Sequence, residues 1–334
     1  MRTTSPSLNA PRSLWRNSLL ASTLAVLFAA GTVTLALPAP AAAADVQVLS
    51  RTATVDGLEI FYREAGPKDA PVVLLLHGFP SSSHMYRDLI PKLAGTYRVI
   101  APDFPGFGYS AAPSMDTFPY TFAALADVID GFTAAVGARS YVLFVQDYGG
   151  PVGFRLALKH PERVRGLIIQ NAVASVDGWN PDVVAQLAPF WKNRNAETEK
   201  PIRNLLTPEM TRFEYTQGAK RPERLSPDAW TIDQAGLDRP GNVDIQLQYF
   251  QDYQTNVAAY PAWGAYLKTA QPPMLIVWGK GDPFFTSKGV EHFKALVPKA
   301  EVHLYDAGHF ALETHGEEIA AASLDFLARL PNAR

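Results

Sequence analysis

The chain has 334 residues, a formal net charge of -2 at pH 7, 47% hydrophobic and 19% charged residues, and no cysteine. That length suits one large α/β domain with an insertion, or two small domains. The near-neutral charge argues against a nucleic-acid partner, which needs clustered basic side chains, and the lack of cysteine excludes disulfides, thiolate nucleophiles and thiolate metal ligands.

Arg2, Arg12 and Arg16 precede an apolar run over residues 19–37, and small residues follow to Ala44. A basic start, an apolar centre and an A-x-A exit form a secretory leader over residues 1–44, with cleavage expected after Ala44. The mature protein is then expected to be exported, periplasmic or secreted, without stable membrane association. The alternative is a retained anchor, since a run of about 19 residues just spans a bilayer. Gly31, Thr32 and Thr34 weaken such a span and favour cleavage.

From residue 45 onward, short apolar runs alternate with amphipathic stretches, the pattern of βαβ units on a mostly parallel sheet flanked by helices. A hairpin is expected over 50–65, with its turn at Asp56-Gly57. Six parallel strands follow, at 72–76, 98–101, 141–145, 167–170, 274–278 and 301–305. Helical spacing marks 121–136, through Phe122, Leu125, Val128, Ile129 and Phe132, and also 149–160 and 317–330. Residues 175–270 break the rhythm. They lack buried-strand runs and are rich in Trp, Tyr, Pro and charge, so they are expected to form a helical cap inserted after the fourth parallel strand. The core is then divided into 45–174 and 271–334.

The third of these strands runs into Val145-Gln-Asp147-Tyr-Gly149-Gly150. This fits a nucleophile elbow with aspartate where serine is usual. The turn is strained, so small residues must follow the nucleophile. The next helix points its N-terminus at the site and favours an anion there. Alone, Asp147 reads equally well as a helix cap. Three further motifs sit at the ends of other strands. His77-Gly-Phe79-Pro follows the first parallel strand, Asp282 the fifth and His309 the sixth. The order nucleophile, acid, histidine is the one such a sheet requires. The backbone amides of Phe79 and Tyr148 are expected to form an oxyanion hole. His77 and Asp103 read as structural, one orienting its loop and the other forming a turn.

Together the His-Gly-Phe-Pro, Asp-x-Gly-Gly and late Gly-His motifs resemble the epoxide hydrolase and haloalkane dehalogenase branch of the α/β-hydrolase superfamily, over about residues 52–330. The resemblance implies a core with a helical cap and no cofactor. An aspartate attacking an ester would give an anhydride, whereas attack at an sp3 carbon gives an ordinary alkyl ester. Water activated by His309 would then hydrolyse that ester, with Asp282 orienting the histidine. The expected partner is a small apolar molecule with an electrophilic sp3 carbon.

The leaving group divides the readings. Tyr253 matches the second cap tyrosine of related epoxide hydrolases. The place of the first holds Phe190-Trp191 instead, and Tyr215 or Tyr249 would have to substitute spatially. Trp191 resembles the cap Trp with which dehalogenases hold halide. Against that, Tyr148 stands where haloalkane dehalogenases carry a halide-binding Trp, and Phe79 where one subgroup has Asn. Arg155 is the nearest match to the carboxylate-binding arginines of fluoroacetate-type dehalogenases. Epoxide hydrolysis is the favoured expectation and dehalogenation the alternative. A non-catalytic ligand-binding receptor is the reading from another class, opposed by the intact Asp147, Asp282 and His309.

Overall fold

The computed structural model describes residues 46–331, so the expected leader over 1–44 lies outside the described residues. Eight strands form one sheet: β1 Leu49–Val55, β2 Leu58–Ala65, β3 Val72–Leu76, β4 Arg98–Pro102, β5 Tyr141–Gln146, β6 Val164–Gln170, β7 Met274–Gly279 and β8 Glu301–Tyr305. Their spatial order is β1-β2-β4-β3-β5-β6-β7-β8. β1 and β2 pair as the expected hairpin, closed by Asp56 and Gly57 at φ of 46° and 83°, the left-handed pair that a tight two-residue turn needs. β2 runs antiparallel to β4, and β3 to β8 are parallel to one another. β4, β5 and β7 are buried along their whole length, which is why they read as unbroken apolar runs.

Eleven helices accompany the sheet among the described residues: α1 Ile90–Leu93, α2 Phe122–Ala135, α3 Gly149–Lys159, α4 Pro181–Lys192, α5 Ala196–Asn204, α6 Pro208–Thr216, α7 Pro227–Leu237, α8 Asn242–Asp252, α9 Gln254–Ala270, α10 Lys288–Leu296 and α11 Ala311–Ala328. α2 buries the five residues whose spacing announces it, and the Thr121 side chain caps its start by accepting from Ala124 N–H at 3.1 Å. α11 begins six residues before the expected start, with a non-helical turn at His315 (φ -128°) that masks its periodicity. α10 is absent from the sequence reading. It is only nine residues long, yet a parallel β7–β8 pair requires a crossover there.

Helices α4 to α9 all fall between β6 and β7. The side chains of Asn180, Asn195, Thr207 and Ser226 cap four of them, and three of these have Pro in the first turn, where proline's missing N–H costs nothing. Their apolar faces share one core with a face of the sheet, joining Leu187, Phe190 and Tyr249 to Leu76, Phe122 and Val145. The other face of the sheet packs against α1 and α11 through Val73, Leu75, Ile90 and Ile319. The parallel strands therefore end beneath the inserted helices.

Candidate active site

Asp147 sits between β5 and α3 at φ 47°, a conformation costing a non-glycine residue on the order of 1 kcal/mol. Its own backbone holds it there. Its N–H donates to the Asn171 carbonyl at 3.2 Å, and its carbonyl accepts from Gly150 N–H at 2.9 Å. Gly149 is obligatory, because a Cβ there would run into the Leu76 carbonyl oxygen. Gly78 has the same constraint from the opposite side: a Cβ would collide with that of Asp147 and lie 2.6 Å from its Oδ1.

That closeness brings the Phe79 N–H to Asp147 Oδ1 at 2.7 Å, and the Tyr148 N–H also faces the carboxylate. Both amides expected to form an oxyanion hole are therefore directed at the Asp147 side chain. Burial pushes the Asp147 pKa up to about 6, against the opposing pull of the His309 charge and these two amides. The sequence reading expected the helix end to hold the carboxyl ionised. Desolvation outweighs that help, although the ionised form still predominates at neutral pH.

His309 Nδ1 lies 2.8 Å from Asp282 Oδ2. The Asp282 carboxylate also accepts from Phe284 N–H at 2.8 Å, Phe285 N–H at 3.1 Å and Asn171 Nδ2 at 2.7 Å. Asn171 is itself fixed, since its Oδ1 accepts from Gly279 N–H at 2.9 Å. The other His309 nitrogen, Nε2, meets the Gln146 amide nitrogen at 2.7 Å. Burial alone would lower the His309 pKa. The charge and hydrogen bond of Asp282, with the charge of Asp147, outweigh it and raise the pKa above its ordinary value.

His77 and Asp103 are structural. His77 Nδ1–H donates to the Gly78 carbonyl at 3.0 Å, and Nε2 accepts from Phe104 N–H at 3.0 Å. Those partners require the neutral ring, and burial drops its pKa to about 3. Asp103 accepts from Ser83 N–H at 2.7 Å and Tyr109 N–H at 2.8 Å, closing its loop.

Asp147 and His309 open onto a cavity of about 300 Å³, whose other walls include Phe79, Leu187, Phe250, Phe284 and Phe285. This is the small, largely apolar kind of pocket that takes a compact organic molecule. Tyr253 lines it. Its ring is held edge-on by Trp179 at 5.0 Å and Phe122 at 5.3 Å. Its Oη is buried without a formed hydrogen bond, beside Tyr260 Oη, which accepts from Trp179 Nε1 at 2.9 Å. Burial pushes the Tyr253 pKa well up, so the phenol remains a neutral donor.

Four other residues lie elsewhere. Trp191 does not line the cavity. Its ring lies parallel to Tyr253 at 6.3 Å, and its indole N–H donates to the Phe250 carbonyl at 2.8 Å. Tyr215 faces away, stacked on Phe310 at 3.9 Å with its hydroxyl on Asp233. Tyr249 gives its hydroxyl to the Pro105 carbonyl at 3.0 Å. Arg155, the cation weighed for substrate binding, instead lies over the Phe122 and Trp263 rings.

Two residues that the sequence reading did not single out are here as well. Asn171 clamps Asp282, and Glu214 lines the cavity while 4% exposed. Glu214 adjoins Tyr215, and neighbours on a helix point about 100° apart. Tyr215, expected as a substrate contact, therefore faces away from the cavity that its neighbour Glu214 enters.

Fold and cavity together define a hydrolase built on a mostly parallel α/β sheet. A family model described as the alpha/beta hydrolase fold matches residues 71–316. The chain belongs to that family, in the branch that holds epoxide hydrolases and haloalkane dehalogenases. It is 39% identical over 276 residues to the uncharacterized hydrolase YNR064C of Saccharomyces cerevisiae, covering 82% of this chain and 94% of that protein. It is 38% identical over 311 residues to a haloalkane dehalogenase of Bradyrhizobium diazoefficiens, covering 86% and 97%. Among solved structures it resembles the epoxide hydrolase CorEH with a TM-score of 0.70 at 21% identity, covering 84% of this chain and 99% of that one. At that identity the likeness concerns the fold.

Proposed function

We propose that this hydrolase opens small epoxides to vicinal diols through an alkyl ester on Asp147. An ionised Asp147 oxygen attacks the less hindered epoxide carbon and the carbon–oxygen bond breaks. Water, deprotonated by His309, then adds to the ester carbonyl. The Phe79 and Tyr148 amides receive the developing oxyanion, and Asp282 stabilises the imidazolium that forms.

The observation that carries the choice of leaving group is Tyr253, a buried phenol at the wall of the cavity that Asp147 opens onto, whose hydroxyl has only the neighbouring Tyr260 hydroxyl as a hydrogen-bond partner. A leaving oxygen needs an acidic O–H, whereas a halide needs N–H donors. The indole N–H groups of Trp179 and Trp191 are already bonded to Tyr260 and to the Phe250 carbonyl. The 38% identical haloalkane dehalogenase favours the second reading, halide displacement by the same aspartate. The engaged indoles weigh against it. In both readings the substrate is a small molecule.

The deciding experiment assays purified enzyme against terminal epoxides and short haloalkanes, scoring diol and halide release. Intact-mass analysis of His309→Gln accompanies it. Diol formation and an adduct mapped to Asp147 are expected. Halide release without diol would install the second reading, and an adduct on another residue would remove the mechanism.

A further inference from the structure

We propose that Glu214 is the second acid of this site: a carboxyl kept protonated inside the cavity, which gives its proton to the leaving oxygen beside the Tyr253 hydroxyl. The proposal rests on the epoxide reading and supplies the donor that the cap lacks once Trp191, Tyr215 and Tyr249 are found engaged elsewhere.

Glu214 lies on α6 and lines the same cavity as Asp147, His309 and Tyr253. It is almost wholly buried, and among the described residues its carboxyl has no hydrogen-bond partner and no cation beside it. A buried, unpaired carboxylate is costly enough that such a group takes up a proton instead. The charged groups facing it reinforce this. Asp147 from the β5–α3 turn, Asp233 from α7 and Asp282 from the loop after β7 all act in the same direction, and with desolvation they hold its pKa well above the carboxylate range. Arg87, the nearest cation acting on Asp233, is bound to Glu313 at 2.7 Å. A neutral carboxyl is a stronger acid than a phenol and the better donor to an alkoxide.

The proton balance closes. In the first step an Asp147 oxygen bonds to carbon, the epoxide C–O bond breaks, and the oxygen takes the Glu214 proton, leaving Glu214 as carboxylate. In the second, His309 removes a proton from water as it adds to the ester carbonyl. The tetrahedral intermediate collapses and the diol oxygen leaves with the His309 proton. The Asp147 carboxyl regenerated in this way is neutral and surrenders its proton to Glu214, so the net reaction is epoxide plus water to diol.

Glu214→Gln preserves shape and burial while abolishing proton transfer, and its melting temperature checks that it folds. Infrared difference spectra of substrate-free wild type and Glu214→Gln at neutral pH are expected to show a protonated-carboxyl C=O band lost in the variant. Single-turnover measurement with an epoxide should show ester formation slowed on the order of 10²-fold, with ester hydrolysis little changed. The wild-type rate of ester formation should fall at alkaline pH as Glu214 ionises, and this limb should vanish in the variant. An ionised Glu214 in the infrared, or wild-type ester formation by Glu214→Gln, overturns the proposal while epoxide hydrolysis stands. A wild-type enzyme that opens no epoxide but releases halide overturns the epoxide reading itself.

Discussion

Asp147 is both buried and anionic in its working form, and these demands meet in one measurable quantity, the pH at which ester formation fails. Its pKa of about 6, against 3.8 for an unperturbed aspartate, represents about 3 kcal/mol of net penalty on the charged form. From pH 7 to pH 5 the ionised fraction of such a group falls about tenfold, whereas at the ordinary value it falls by only about a twentieth. Rapid-quench measurement of the covalent ester on wild type should therefore show about a tenfold slower first step at pH 5 than at pH 7. In His309→Gln the favourable imidazolium charge is gone, so the limb should move to higher pH. A rate flat down to pH 5 would mean that the Phe79 and Tyr148 amides cancel the cost of burial, refuting the claim that desolvation dominates this carboxyl. A limb that moves down on loss of His309 would contradict the sign of their interaction.

Two further substitutions separate positioning from chemistry. Trp191→Phe removes the indole N–H held by the Phe250 carbonyl together with part of a ring packed on the core, and should cost about 1–3 kcal/mol of stability while leaving kcat/KM for epoxides within about twofold, as thermal melts and steady-state assays would show. A tenfold loss of turnover would return Trp191 to the leaving group. Asn171→Ala removes one of the two partners of Asp282 Oδ2, leaving His309 as the other, and should slow ester hydrolysis on the order of tenfold, short of the roughly 10²–10⁴ that loss of a general base costs. The ester would then accumulate in the steady state, and a slowed first step without accumulation would contradict this role.

Residues fixed by backbone geometry are the ones the sequence reveals. Asp147 is legible because Gly149 must follow it where α3 starts against β3, Asp282 because the buried apolar β7 ends just before it, and His309 because its Gly-His pair follows the last strand of the sheet, although β8 itself is only half-buried. The Asp56-Gly57 turn is legible for the same local reason. What escapes is set by rotation and by distant packing. Glu214 and Tyr215 differ only by a step around α6, yet one enters the cavity and the other stacks on Phe310. Trp191 has the right type and spacing for a halide donor, but its N–H is claimed by a carbonyl 59 residues away in sequence. Asn171 sits at an unremarked strand end and acquires its role only through Asp282, 111 residues further on. No periodicity encodes these pairings, which depend on how the inserted helices are carried over the sheet and, for Asn171, on the pairing of β6 with β7.

The charges around His309 also bear on the order of the chemistry. Before reaction the histidine is flanked by Asp282 and Asp147, and both raise its pKa. The histidine in turn acts on Asp147, since any positive charge on the ring lowers the Asp147 pKa and favours the ionised attacking oxygen. Forming the ester removes the Asp147 charge and leaves burial opposed by Asp282 alone. The His309 pKa must then fall, by the same coupling that raised it. That shift favours the neutral ring, the form that can accept a proton from water. Through that change the amides of Phe79 and Tyr148 need not move: they hold a carboxylate before the first step and stabilise the oxyanion in the second. One fixed framework thus serves two opposite electrostatic demands because the substrate's own bond to Asp147 changes the charge inside it.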